Sequence, residues 1–205
     1  MLAKGGNAID AAIAVQAMLG LVEPQSSGIG GGGFMVRGTA DGVVSTFDGR
    51  ETAPAGATPE WFLDASGKLP PRSESVRSGL SVGVPGNIAL AAKAHAAHGK
   101  LPWADLFAPA IELARDGFEV NPRLNGMLAS AKDRSAHSAA ARALYFEASG
   151  EPRPVGAIIV NETLAKTFET IAEAGPGAFY SGALAQEIAS TVADDTPHAG
   201  AMTPA

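Results

Sequence analysis

Apolar positions recur with helical spacing along most of the chain. The segment from Ala8 to Val22 has almost no polar face, and this predicts a helix that is buried between layers. Asn7 is placed as its N-cap, and Asp10 lies in its first turn, where the helix dipole favours an anion. Because Pro24 cannot continue the helix, the structure is expected to change there.

A β-hairpin is predicted after this helix. Two short β-rich runs, Phe34 to Gly38 and Val43 to Asp48, lie on either side of the turn signal Ala40-Asp41-Gly42. The segment from Asp48 to Pro59 is rich in turn residues, so it is expected to leave the second strand as a loop.

The rest of the chain has the pattern of a helical region. Five helices are predicted from proline or capping residues at their starts. Two of them end at a glycine, Pro85 to Gly99 and Pro102 to Gly117 with a kink at Pro109, and the other three begin at Asn121-Pro122, Asn161 and Ser181. In the last of these, Leu184, Ile188 and Val192 are expected to face the core. Residues 130–143 are weakly patterned and fit a loose helix or a loop. We therefore expect an α+β domain with a helix and hairpin over residues 1–58 and a mainly helical region over 59–205.

The composition excludes several classes of protein. The 205 residues are 46% hydrophobic and 18% charged, which provides enough apolar surface for a folded domain and excludes a disordered chain. With 15 Lys and Arg against 21 Asp and Glu, the net charge is −6, so neither a nucleic acid nor an anionic membrane surface is expected as a partner. The lack of Cys excludes disulfides, thiolate zinc sites and cysteine nucleophiles.

The two ends of the sequence suggest the middle of a longer protein. No stretch reaches the roughly 20 apolar residues that span a bilayer, and the first residues lack the apolar core of a secretory signal. A helix follows Met1 almost directly, and no closing element precedes Ala205.

Three motifs resemble functional sites but lack the expected context. The Gly28-x-Gly30-x-x-Gly33 run follows a predicted helix and precedes a strand, whereas a dinucleotide-binding loop needs the reverse order. Ser81 lies in a G-x-S-x-G pattern, yet the preceding residues are too polar for the buried strand of a hydrolase elbow. His95 and His98 are spaced to share a metal, but no carboxylate motif accompanies them, so no metal site is expected.

Arg50 is the most informative candidate. It lies in a glycine-containing loop just beyond the second predicted strand, flanked by Asp48 and Glu51. The planar guanidinium of an arginine can hold a carboxylate by two hydrogen bonds. From spacing alone, a surface arginine neutralised by Asp48 or Glu51 is an equally good alternative.

Six blocks of the sequence resemble the large-subunit motifs of γ-glutamyltranspeptidases, and they occur in the same order. They cover nearly the whole chain: Lys4 to Ala12, Pro24-Gln25 leading to Gly30–Met35, Asp48 to Pro54, Ser81 to Gly86, Pro109 to Phe118, and Gly175 to Tyr180. Each block alone is weakly specific, but six in register are highly specific.

The resemblance implies an Ntn-hydrolase fold, in part an αββα sandwich, with a helical annex. Members are made as one precursor that cuts itself, and the N-terminal threonine of the small subunit attacks the γ-carbonyl of glutathione or another γ-glutamyl compound. The acyl group then passes to water or to an amino acid or peptide. By its motif, Arg50 would hold the substrate α-carboxylate, and Asp48 or Glu51 would orient it. No cofactor or metal is implied.

The resemblance also implies what this chain lacks. The nucleophile belongs to a small subunit beyond residue 205, and neither Thr196 nor Thr203 is assigned that role, so no catalytic residue is expected here and the chain alone should be inactive. The family's early strand is also missing, and an unpaired sheet edge is a route to self-association and a homo-oligomer. Bacterial members are commonly exported to the periplasm.

The sequence is also compatible with three functions other than that of a γ-glutamyltransferase. The first is a cephalosporin (glutaryl) acylase of the same family, whose substrate also carries a carboxylate. The second is a binding or structural module that keeps the fold without the nucleophile. The third is a serine hydrolase that uses Ser81, which would react with a fluorophosphonate probe.

Overall fold

The structure of the chain is a computed structural model that describes residues 1–194 and 198–204. Thr196 lies outside the described residues, and Thr203 is exposed. The helices are α1 (Ala8–Val22), α2 (Arg72–Ser75), α3 (Asn87–His98), α4 (Ala108–Asp116), α5 (Pro122–Ser130), α6 (Lys132–Ser135), α7 (Ala139–Tyr145), α8 (Glu162–Ala174), α9 (Gly177–Tyr180) and α10 (Ala183–Ala193). The strands are β1 (Gly33–Gly38), β2 (Val44–Gly49), β3 (Phe118–Glu119) and β4 (Ile158–Ile159).

Helix α1 begins at a capping box, as the sequence predicts. The side-chain oxygen of Asn7 accepts the backbone N–H groups of Ile9 and Asp10, and the Asp10 carboxylate accepts the N–H of Asn7 at 2.8 Å. Asp10 is fully buried and also accepts the N–H of Lys100 at 3.0 Å. In the described chain α1 buries one face, and Val15 on another face is 55% exposed, so the expected burial on both sides is not seen.

The predicted hairpin is present. Strands β1 and β2 pair antiparallel with Gly33 opposite Gly49 and Gly38 opposite Val44. Phe47 of β2 points to the buried side of this sheet, while Phe34 is exposed. Alternate residues of a strand point to opposite faces, so this register places Phe34 and Asp48 on the same exposed face.

The chain divides into two compact units. The first contains Met1–Gly28 and Ala97–Gly175, and its core joins α1, α4, α5 and α8 to the short β3–β4 pair. Leu21, Ala114, Leu124 and Ala165 are fully buried in this core. The second unit contains Ile29–Ala96 and Pro176–Ala205, and it carries the hairpin, most of α3, and α9 and α10.

Two of the predicted helix starts, at Pro85 and Pro102, differ from the structure. Helix α3 begins at Asn87 instead of Pro85, because the carbonyl of Gly86 accepts the first helical N–H. Pro109 lies in the first turn of α4, where its missing N–H is tolerated, so the predicted kink is replaced by a break at Phe107 between a 3₁₀ helix and α4.

The predicted cap of the last helix is wrong. The Ser181 hydroxyl donates to the carbonyl of Gly177 at 2.9 Å, so it closes α9, and Gly182 occupies the N-cap position of α10 without a side-chain cap. The buried face contains Ala185, Ala189 and Val192, while Leu184 and Ile188 are half-buried. The caps predicted at Asn121 and Asn161 are confirmed, and the weakly patterned segment forms α6 and α7.

Candidate carboxylate-binding site

Arg50 lies immediately after β2, and its side chain is 73% exposed. Its backbone N–H donates to Asp48 Oδ1 at 2.9 Å, and its Nε lies 3.5 Å from Glu51 Oε2. The structure therefore brings the three predicted residues together and gives them different contacts: Asp48 holds the backbone of Arg50, and Glu51 lies beside its guanidinium. Within residues 1–194 and 198–204, the guanidinium of Arg50 makes no hydrogen bond.

The backbone that carries Arg50 is supported by the glycine run before β1. A Cβ atom added to Gly32 would lie 2.6 Å from the carbonyl oxygen of Gly49 and 2.7 Å from the nitrogen of Glu51. Only glycine leaves room for the backbone on each side of Arg50 to pass so closely. The glycine run thus has a packing role and leads into a strand, which agrees with the argument against a dinucleotide loop.

A second segment supports the same backbone from the start of α3. The N–H of Val84 donates to the carbonyl of Thr52 at 2.8 Å, and the N–H of Thr52 donates to the carbonyl of Val84 at 3.4 Å. The N–H groups of Gly86 and Asn87 both donate to the carbonyl of Gly31, at 2.9 and 3.0 Å. The backbone around Arg50, the glycine run and the start of α3 therefore form one hydrogen-bonded unit.

Gly86 is the closest point of this packing. A Cβ atom added there would overlap the carbonyl oxygen of Gly49 and would lie 2.7 Å from the Gly49 carbonyl carbon and 3.0 Å from the Arg50 oxygen. All three are backbone atoms, so no side-chain rotation could relieve the contact. The sequence pattern predicts that Gly86 lies at a turn into a helix, but it carries no signal that this turn meets Arg50, which is 36 positions away.

Tyr180 also contributes to the start of α3, and sequence reasoning missed this contact. Its hydroxyl accepts the N–H of Ala89 at 2.9 Å. Burial raises the pKa of Tyr180, an effect that the hydrogen bond from Ala89 partly opposes. The hydroxyl is therefore protonated and uncharged at neutral pH.

The other candidate motifs do not form sites. Ser81 is exposed but ends a short 3₁₀ helix instead of following a strand, and its hydroxyl donates to the carbonyl of Ser75 at 2.6 Å, so it lacks the strand-to-helix turn of a nucleophile elbow. His95 and His98 lie on α3, and the described residues contain no group of three or more His, Asp or Glu placed to hold a metal ion. None of the helices described combines the length and apolar character needed to cross a bilayer.

Comparison with known proteins identifies the family. The sequence matches the gamma-glutamyltranspeptidase family model over residues 1–205. The chain belongs to this family. It is 42% identical over 206 residues to the glutathione hydrolase proenzyme of Bacillus subtilis (strain 168), and this match covers 99% of the chain but 34% of the relative. The chain thus spans about a third of the length of this relative.

Solved structures share the fold of this family member. The gamma-glutamyltranspeptidase of Helicobacter pylori superposes with a TM-score of 0.91 at 34% identity, covering 99% of this chain and 57% of that one. The cephalosporin acylase of Bacillus halodurans superposes with a TM-score of 0.79 at 33% identity, covering 93% of this chain and 36% of that one. The predicted family and the predicted α+β fold of the Ntn-hydrolase class are confirmed.

Proposed function

We propose that the complete protein is a γ-glutamyltransferase or hydrolase in which this chain supplies the residue that binds the substrate α-carboxylate. The observation that carries the proposal is the placement of Arg50, which combines an exposed guanidinium with a backbone held by Asp48 and packed against Gly32 and Gly86. Because the backbone of Arg50 is already held in place, the site does not have to be ordered when a substrate binds to the accessible guanidinium.

The chemistry of arginine suits this role. A γ-glutamyl substrate carries a free α-carboxylate several bonds from the γ-carbonyl that reacts, so holding the carboxylate in one orientation also sets the position of the carbonyl. The guanidinium offers two parallel N–H groups to a carboxylate, whereas a lysine offers a point charge. Glu51 lies nearest to Nε of Arg50, and this supports a role for Glu51 in orienting the guanidinium so that its Nη groups face the substrate.

The remaining machinery is proposed to come from the rest of the protein. The family implies a precursor that cuts itself and a small subunit whose N-terminal threonine attacks the γ-carbonyl, with glutathione as a representative substrate. The acyl group is then transferred to water or to an amine. This chain would therefore act with a small subunit of the same precursor, and its own residues would bind and orient the substrate.

The test compares kcat/KM for two substrates that differ only at the α-carboxylate. In the complete, processed enzyme, Arg50→Lys should lower kcat/KM for γ-glutamyl-p-nitroanilide by about 10- to 100-fold, because charged hydrogen bonds contribute roughly 1.5–3 kcal/mol. The analogue with an α-carboxamide should lose much less, because it never formed the charged pair. Arg72→Lys, at an exposed arginine of α2, is the matched control. Equal losses for both substrates, or no loss, would refute the role of Arg50.

Cephalosporin acylase activity is a second candidate, because the fold match to the Bacillus halodurans enzyme covers 93% of this chain. A glutaryl group also presents a carboxylate but lacks the α-amino group of glutamate. Comparing kcat/KM for p-nitroanilides of γ-glutamate and glutarate in the complete enzyme separates the two. We expect the γ-glutamyl compound to be preferred.

A non-catalytic role is tested by intact mass spectrometry with N-terminal sequencing of the complete protein. A second polypeptide that begins with threonine supports the proposed enzyme. A single unprocessed polypeptide without turnover would support a structural or binding module instead.

A further inference from the structure

The N-cap position of helix α3 is occupied by a glycine, which has no side chain to cap the helix. The carbonyl of Gly86 accepts the N–H of Leu90 at 2.9 Å, which makes Gly86 the N-cap residue. Helices usually place Ser, Thr, Asp or Asn here, and the side-chain oxygen of that residue accepts a backbone N–H of the first turn. Gly86 has no such oxygen, and a larger residue fits only if the backbone moves, because its Cβ would overlap the carbonyl group of Gly49.

Tyr180 supplies the missing acceptor from a distant part of the chain. Ala89 is the third residue of α3, and its N–H is the group that an N-cap side chain ordinarily binds. Here that N–H donates to the Tyr180 hydroxyl at 2.9 Å. Tyr180 ends α9, and its ring packs edge-on against Phe179 with centroids 5.3 Å apart, which restrains the position of the hydroxyl.

The first turn of α3 also packs against Gly49, the residue before Arg50. Besides the contact at Gly86, a Cβ atom added to Gly49 would lie 2.7 Å from Leu90 Cδ1. Fraying of this turn would therefore loosen the backbone of Gly49 and Arg50, and the position of the Arg50 side chain would become less fixed.

We propose that Tyr180 is a positioning residue for substrate binding: its hydroxyl caps α3 in place of an N-cap side chain and thereby holds the backbone of Arg50. This inference rests on the proposed function of Arg50. Glycine at position 86 allows the close approach of the two backbones, and Tyr180 replaces the cap that glycine cannot provide.

The test uses Tyr180→Phe in the complete, processed enzyme, since this change removes only the hydroxyl. The measured quantity is the ratio of kcat/KM for γ-glutamyl-p-nitroanilide to kcat/KM for its α-carboxamide analogue. The active fraction of the enzyme cancels in this ratio, so a simple loss of folded protein does not change it. We expect Tyr180→Phe to lower the ratio by about three- to tenfold, the scale of losing one helix cap, mainly through KM of the acid.

Two further variants make the result specific. Tyr145→Phe removes the hydroxyl of the other tyrosine in the sequence, which is partly buried against the core of the first unit, and it should leave the ratio unchanged. In an Arg50→Lys background, Tyr180→Phe should lower the ratio no further, because the two changes act on the same contact. Hydrogen exchange of the Ala89, Gly86 and Val84 amides should accelerate in Tyr180→Phe and not in Tyr145→Phe.

The outcomes separate the two proposals. If Arg50→Lys lowers the ratio and Tyr180→Phe does not, the positioning role of Tyr180 is overturned and the role of Arg50 stands. If Tyr180→Phe lowers kcat/KM for both substrates equally, its role is general stability and the positioning role is again overturned. If Arg50→Lys leaves the ratio unchanged, the carboxylate-binding role is overturned for both residues.

Discussion

The backbone contact at Gly86 can be tested by adding a single methyl group. Gly86→Ala places a Cβ atom against the Gly49 carbonyl group and 3.0 Å from the oxygen of Arg50. The neighbours are backbone atoms, and the adjoining segments are tied together by the bond from Gly86 to Gly31 and by the pair between Thr52 and Val84. The strain can therefore be relieved only by moving α3 away from the Arg50 segment.

Two opposing effects set the size of the change in the free energy of unfolding. Overpacking in a tight site lowers stability by about 1–3 kcal/mol. Replacing glycine by alanine reduces the conformational freedom of the unfolded chain, which raises the free energy of unfolding by roughly 0.4–1 kcal/mol. This gain applies because Gly86 does not have a positive φ. We therefore expect a net loss of about 1–2 kcal/mol, which lowers the thermal midpoint of unfolding.

The assay compares Gly86→Ala with Gly126→Ala in the complete protein. Gly126 lies inside α5, and a Cβ atom added there meets nothing within 4 Å. This control should raise stability by about 0.5–1 kcal/mol, because alanine is favoured over glycine within a helix. The same methyl group is therefore expected to have opposite effects at the two positions.

Activity provides a second measurement on the same pair. A displaced Arg50 should lower kcat/KM for γ-glutamyl-p-nitroanilide in Gly86→Ala and leave it unchanged in Gly126→Ala. If Gly86→Ala melts at or above the wild-type temperature with normal kinetics, then the close approach of α3 to the Arg50 backbone is wrong.

Two further predictions concern the first unit. Asn7→Ala removes the two hydrogen bonds that the Asn7 side chain accepts at the start of α1, and the one that its Nδ2 donates to the carbonyl of His98. Loss of the cap alone should lower the free energy of unfolding by about 0.5–2 kcal/mol, measured by urea unfolding against the exposed change Ala12→Ser. Burial raises the pKa of Tyr145, so above pH 10 the unfolded chain loses this proton while the folded chain keeps it. Stability should therefore fall as the pH rises above about 10, the ordinary pKa of tyrosine, and Tyr145→Phe should show a smaller fall; identical slopes for the two proteins would contradict the burial of Tyr145.

Local features of this chain could be predicted from its sequence because their causes are local. The caps at Asn7, Asn121 and Asn161 follow from side chains that bind N–H groups two or three positions away. The hairpin follows from two β-rich runs around a turn, and so does the position of Arg50 directly after the second strand. The carboxylate-binding role of Arg50 stays a prediction, which rests on the family resemblance and not on spacing.

Features that depend on distant residues could not be predicted in this way. The sequence gives no sign that Ser181 uses its hydroxyl on Gly177, and this contact shifts the cap of α10 to Gly182. The support of Arg50 by Gly32 and Gly86 depends on backbone approach between separate segments, which no hydrophobic pattern encodes.

The hydrogen bond between Ala89 and Tyr180 also has a consequence for synthesis. The second unit is completed only by Pro176–Ala205, whereas the first is complete at Gly175. Tyr180 leaves the ribosome roughly 90 residues after Ala89, which is about 5–20 s at ordinary rates of translation. During that interval the start of α3 is uncapped, so a nascent chain that ends at Gly175 has all residues of the first unit while the support beneath Arg50 is still incomplete.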